Sequence, residues 1–232
     1  SLLKCNLEAA NIYVVDNGSS DGTAEIVREK FAGVNIIETG KNIGFGAGHN
    51  LALRSVQSDY HILINPDIIV KEGEIEKMAA YMESHKDVVV MTPKIFNTDG
   101  TEQFVPKKRP KFKYIFAGRF ENKFKRCYKL RSEYTLRDVS VTEPTEIDCC
   151  SGCFMFCRTS ALLRVGGFDE RYFLYFEDAD LTRELQKYGK AMYVPDCSVT
   201  HAWHRDVTRS NKARKIALRS MFSYFGKWRG KK

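Results

Sequence analysis

No apolar run approaches the ~18 residues that a bilayer-spanning helix requires, and none of the 232 residues falls in an internal repeat or a low-complexity tract. The chain is therefore not read as spanning a membrane, and no secretory leader is legible at its start. Proline is scarce, and Pro106 and Pro110 fall together in one irregular stretch. Cysteine is present but not as a framework. Of seven residues, Cys149, Cys150, Cys153 and Cys157 share one apolar run, while Cys5, Cys127 and Cys197 are isolated. Cys150 and Cys153 make a C-x-x-C, but no second pair exists to complete a zinc knuckle, so reduced core cysteines in a reducing compartment are expected. Acidic residues are missing in two places. Residues 209–232 carry nine Lys/Arg and no acid, and residues 106–131 carry eleven against Glu121 alone. The net charge of +8 therefore hides an acidic body with two basic segments. Such asymmetry points to a polyanion: nucleic acid, anionic lipid headgroups or diphosphates.

What is present is enough apolar material, 43% of residues, for one full core, with a single domain expected over 1–208 and a basic amphipathic tail over 209–232. Ile12–Val15 reads as a buried strand, Asp16–Gly22 as a loop, and Thr23 as a cap for a helix over Ala24–Phe31. A strand at Val34–Ile37, a glycine-rich loop from Gly40 to Gly48 and a helix from about Ala47 to Val56 lead to a strand at Tyr60–Ile64. A helix over Lys71–Ser84 precedes a strand at Val88–Met91. This alternation predicts an α/β fold with a mostly parallel sheet. Residues 97–145 interrupt the rhythm. It resumes with a strand at Cys150–Cys157, a short helix at Ser160–Val165 and an acidic helix from Glu177 to Tyr188, stopped by Gly189.

Several motifs end strands, where open α/β sheets place ligand-binding groups. Asp16-Asn-Gly-Ser-Ser-Asp-Gly22 either accepts a ring N–H of a pyrimidine base through Asp16 or is a capped strand-to-helix turn. Asn42-Ile-Gly-Phe-Gly-Ala-Gly-His-Asn50 offers backbone amides for a ribose or diphosphate near a helix start. Its Gly44-x-Gly46 is followed by His49 and Asn50, and no acid ends the next strand, so a dinucleotide cofactor is excluded. Asn65-Pro-Asp67 holds one carboxylate suited to Mg²⁺ or Mn²⁺, or is a proline turn. Phe173-Leu-Tyr-Phe-Glu-Asp-Ala-Asp180 carries acids out of an apolar neighbourhood at a helix start, for catalysis or for plain capping. His201 closes another strand-like run and either completes a metal shell or is structural. Phe112, Phe116, Phe120 and Phe124 recur every four residues among basic side chains, and Ala213, Ala217, Met221, Tyr224 and Trp228 recur at helical spacing. Both stripes suit either an anionic membrane surface or packing onto the body. No nucleic-acid module is recognisable, so nucleic acid is not an expected partner.

Taken in order, Val14-Val-Asp-Asn-Gly-Ser-Ser-Asp-Gly-Thr23, Asn42 to Asn50, Leu63-Ile-Asn-Pro-Asp67, Gly166-Gly-Phe-Asp-Glu170, Phe173 to Asp180 and Val199-Thr-His201 resemble the inverting family 2 glycosyltransferases of GT-A fold, in particular bacterial rhamnosyltransferase-like members. The resemblance implies a Rossmann-like mixed sheet flanked by helices, with the family's first strand absent from the chain and 97–145 as a variable basic insertion on the acceptor or membrane side. It implies a nucleoside diphosphate sugar as donor, contacted by Asp16, Asn17, Ser19, Asn42, Gly44, Asn50 and Asn65. It implies Mg²⁺ or Mn²⁺ on Asp67 and His201, Asp178 as general base, and Gly166, Gly167, Phe168, Glu177 and Asp180 on the acceptor side. The expected reaction moves L-rhamnose from dTDP-rhamnose to a lipid-linked or surface-glycan acceptor, in the cytoplasm or peripherally on the inner face of the plasma membrane. A UDP-hexose or UDP-galactofuranose donor is the alternative, and a non-catalytic nucleotide-sugar-binding protein is a second one.

Overall fold

The computed structural model describes residues 1–105, 107–202 and 210–230. Pro106 and the expected domain boundary at 208/209 lie outside the described residues. The strands are β1 (Tyr13–Asp16), β2 (Asn35–Glu38), β3 (Tyr60–Ile64), β4 (Ile68–Val70), β5 (Val88–Phe96), β6 (Glu102–Gln103), β7 (Thr145–Glu146), β8 (Phe154–Arg158) and β9 (Lys190–His201). The helices are α1 (Thr23–Lys30), α2 (Phe45–Leu53), α3 (Glu74–Ser84), α4 (Phe112–Phe120), α5 (Lys125–Thr135), α6 (Thr159–Val165), α7 (Glu177–Leu185) and α8 (Asn211–Lys227).

The main sheet runs β3-β8-β5-β9-β4, with β6 added to β5 and β7 to β9. Along that path β3, β5 and β9 point one way, and β8 and β4 point the other. The sheet is mixed, as expected, with β5 and β9 paired in parallel. β1 and β2 form a separate parallel pair.

The core lies under β5, β8 and β9. Phe154, Met155 and Phe156 are fully buried in succession, because helices and loops cover both faces of β8. Each such side chain contributes roughly 1.5–3 kcal/mol by leaving water. Met78 and Met82 of α3 bring an i, i+4 apolar pair against this core.

Several boundaries differ from the sequence expectation. β5 does not stop at Met91 but runs to Phe96 through Pro93, where the β5/β9 register shifts. A register shift is where a strand tolerates a residue without an N–H. β8 begins at Phe154 rather than Cys150. The phenylalanine stripe over 112–124 breaks into two helices, because Phe124 takes an extended conformation as the residue capping α5. The 209–232 segment supplies α8, whose Tyr224 and Trp228 are buried against Cys149, Tyr172 and Ala179.

Candidate active site

The expected site residues gather where β3 and β9 end. In the antiparallel β4/β9 ladder Ile68 faces His201, so Asp67, one residue earlier, lies beside the imidazole. Asp67 Oδ1 and His201 Nε2 are 3.2 Å apart, and both atoms are buried. The turn before β8 meets the same place, since Asn65 N–H donates to Cys153 O at 2.9 Å. α7 arrives from the other side. Gly152 N–H donates to Asp178 Oδ2 at 3.2 Å, and Asp178 Oδ1 accepts from Ala179 N–H at 2.8 Å. Burial pushes the Cys153 thiol up.

A hydrogen-bond chain orients His201. Thr101 Oγ1 donates to the Asp99 carboxylate at 2.6 Å, so it must accept from Asn97 Nδ2 at 2.8 Å. Asn97 Oδ1 accepts from Gln103 Nε2 at 2.7 Å, which leaves Gln103 Oε1 to accept from His201 Nδ1 at 3.0 Å. Nε2 then faces Asp67 Oδ1 at 3.2 Å. A carboxylate oxygen and an imidazole nitrogen, the latter backed by a hydrogen-bonded amide, are a donor set that fits Mn²⁺ or Mg²⁺. No group of three or more His, Cys, Asp or Glu that could hold a metal ion occurs among the described residues. Gln103 was not singled out by sequence, because its partner lies 98 residues away.

The loops after β1 and β2 are tied together by Asn17. Its Oδ1 accepts from Ile43 N–H at 2.9 Å, and its Nδ2 donates to Gly44 O at 3.0 Å. Asp16 is buried and accepts from Ser19 N–H at 3.2 Å, while Asn42 Oδ1 accepts from Gly44 N–H at 3.0 Å. The glycines serve close packing. At Gly44, with φ of 100°, a Cβ would sit 2.8 Å from Phe173 O, and at Gly46 one would sit 2.6 Å from Phe168 Cβ. His49 packs beside the Phe45 and Phe168 rings, and burial lowers its pKa to about 4.

Two expected roles need correction. Asn50, placed on the donor, is instead a buried bridge: its Oδ1 accepts from Phe168 N–H at 2.8 Å, and its Nδ2 donates to Phe168 O at 2.9 Å and Glu170 Oε1 at 3.1 Å. Both ends of the amide are used, and Gly167 lies so close that a Cβ there would sit 2.3 Å from Asn50 Oδ1. Asp180, placed on the acceptor side, is 1% exposed. It accepts from Tyr172 Oη at 3.2 Å, Lys227 Nζ at 2.6 Å and Trp228 Nε1 at 2.7 Å, and so anchors α8 to α7. Glu177 and Phe168 are buried beside the site, Gly166 caps α6 in a left-handed conformation, and Asn65 is half-buried.

The approach to α7 is strained. Tyr175 and Phe176 both have positive φ, 70° and 68°, a region that non-glycine residues seldom occupy. α8 holds them there. Ser220 Oγ donates to Leu174 O at 2.8 Å, and the Phe176 ring packs on Tyr224 and Phe225. The pKa of Glu177, next in line, is raised to about 8 by burial and by the neighbouring Asp178.

The sequence model of glycosyl transferase family 2 matches residues 1–165. The chain belongs to this family. Its relatives include the Mycobacterium tuberculosis N-acetylglucosaminyl-diphospho-decaprenol L-rhamnosyltransferase, 28% identical over 211 residues, covering 82% of this chain and 66% of that protein. The Escherichia coli K12 rhamnosyltransferase WbbL is 30% identical over 253 residues, covering 98% of this chain and 86% of the relative. Among solved structures, GalNAc-T7 with UDP, GalNAc and Mn²⁺ superimposes with a TM-score of 0.66 at 14% identity, over all of this chain and 44% of that one. Staphylococcus aureus TarS 1-349 with UDP gives 0.59 at 15% identity, over 97% of this chain and 66% of that one. The chain thus has the GT-A fold of a glycosyltransferase and spans about two thirds of the mycobacterial relative.

Proposed function

We propose that this family 2 glycosyltransferase is an inverting enzyme that moves L-rhamnose from dTDP-rhamnose to a hydroxyl of a lipid-linked or surface-glycan acceptor. The rhamnosyl choice rests on its two rhamnosyltransferase relatives. The observation that carries the mechanism is the convergence of Asp67, His201 and Asp178 at one end of the sheet, around the Cys153 turn. Asp16 and the loop that Asn17 clamps receive the nucleotide. Asp178 takes the proton of the acceptor hydroxyl. The freed oxygen forms the new bond at the anomeric carbon as the bond to the diphosphate breaks, and the electron pair leaves on the diphosphate. Asp67 and His201 would hold Mg²⁺ or Mn²⁺, which when bound supplies positive charge for the departing diphosphate.

Calorimetric titration of dTDP-rhamnose and UDP-glucose, with and without Mn²⁺, is coupled to turnover of Asp178→Asn. The reading expects Mn²⁺-dependent binding of dTDP-rhamnose alone. It also expects the variant to bind donor normally while turning over roughly 10²–10⁴-fold more slowly. UDP-glucose binding in its place would sink the donor assignment, and unchanged turnover would sink Asp178 as base.

A further inference from the structure

We propose that α4 and α8 together form one facet that seats the protein on an anionic phospholipid surface. The two basic segments are about a hundred residues apart in sequence, yet the fold joins them. Phe112, the first residue of α4, stacks on Phe225 of α8 with ring centroids 3.8 Å apart and planes at 19°. Phe112, Phe222, Phe225 and Arg229 line one cavity of about 510 Å³ that opens between the two helices.

α8 has two faces. Ala213, Ser220, Tyr224 and Trp228 point into the protein. On the opposite face, at spacings of three and four, stand Lys215, Leu218 and Phe222, all exposed, and exposed Arg229 follows the end of the helix. Phe222 is 63% exposed and Phe116, one turn along α4 from Phe112, is 65% exposed. Rings left so far out of the core, in helices already anchored by their other face, are not needed for folding. Around them lie exposed Lys111, Lys113, Arg119, Lys215 and Arg219, while residues 209–232 contain no acid to oppose an anionic surface.

Large aromatic rings flanked by cations suit the boundary between headgroups and acyl chains, where rings enter and cations meet phosphates. No helix among the described residues is long and apolar enough to cross a membrane. The inner face of α8 grips the segment leading into α7, through Ser220 to Leu174 and through Lys227 and Trp228 to Asp180. The facet therefore fixes the height of the α7 start above the bilayer. This inference stands whether or not the donor assignment holds.

The test is cosedimentation of the full chain with sucrose-loaded vesicles of phosphatidylcholine alone, or of phosphatidylcholine mixed with phosphatidylglycerol. The protein should pellet with the anionic vesicles only. The double variant Phe116→Ser/Phe222→Ser should lose roughly ten-fold in apparent affinity, and so should Lys215→Glu/Arg219→Glu, since both apolar and electrostatic contacts contribute. All four side chains are exposed, and an unchanged urea midpoint checks that each variant folds. Three results would overturn the proposal: no binding of the natural chain to anionic vesicles, binding of the Phe variant at natural strength, or competing RNA that strips the protein from vesicles with equal ease in the Phe variant and the natural chain.

Discussion

Replacing Asp180 should unlatch α8 from the body. The carboxylate is 1% exposed and receives Lys227 Nζ at 2.6 Å, Trp228 Nε1 at 2.7 Å and Tyr172 Oη at 3.2 Å. Breaking one side of a buried ion pair costs about 3–5 kcal/mol, because the remaining charge and donors stay desolvated. The lower end applies here. Lys227 keeps Asp169 at 3.0 Å and Glu184 at 3.1 Å, so its ammonium is not left alone. Burial works against that ammonium, yet its hydrogen bonds to Asp180 and Asp169 raise its pKa overall. Asp180→Ala should therefore lose about 3 kcal/mol. Asp180→Asn, which keeps one acceptor for Trp228 or Tyr172, should lose about 1–2 kcal/mol. At about 2–4 °C per kcal/mol for a chain of this size, the Ala variant should melt roughly 6–12 °C lower. Urea unfolding followed by tryptophan fluorescence reads both variants. A loss below about 1 kcal/mol for Asp180→Ala would mean that the cluster behaves like a solvated surface pair, and the anchoring argument would fail.

Gln103→Ala removes the acceptor that holds His201 Nδ1, so Mn²⁺ affinity measured by calorimetry should fall about 10–100-fold; unchanged affinity would show that His201 is not oriented through Gln103. Glu177→Gln tests the buried carboxyl through pH. Its folded pKa of about 8 exceeds the ordinary glutamate value of 4.5, so between these values the folded state holds a proton that the unfolded chain has lost, and stability falls as pH rises through that window. The neutral variant has no such loss, so its urea midpoint should gain on the natural chain as pH rises across the window; parallel profiles would contradict the shift. Gly46→Ala places a Cβ 2.6 Å from Phe168 Cβ and should cost about 1–3 kcal/mol by overpacking, read as a lower melting temperature. Gly226→Ala, in α8 with open space around its Cβ, meets no such clash and should be neutral or stabilising by up to about 1 kcal/mol, and equal destabilisation at both positions would refute the packing argument.

Element type was legible wherever the local pattern was strong. β3 spans Tyr60–Ile64 as its apolar run predicts, and α7 begins at Glu177 where acids follow an aromatic cluster. The ordered motifs also carried the family, because their chemistry lies in short contiguous segments. What stayed out of reach were relations between distant segments. Nothing local says that Asp180 turns inward while Asp178, two residues earlier, stays at the surface of the site; a helix rotates about 100° per residue, and α8 decides which face is covered. Nor does local pattern say that Asn50 serves Phe168, that Gln103 sets the His201 ring, or that Phe112 meets Phe225. Sequence alone determined the family and the strand ends at which the candidate site residues lie. Tertiary structure decided which of them face one another, since lone pairs, buried charges and ring stacks act over a few ångströms across segments about a hundred residues apart.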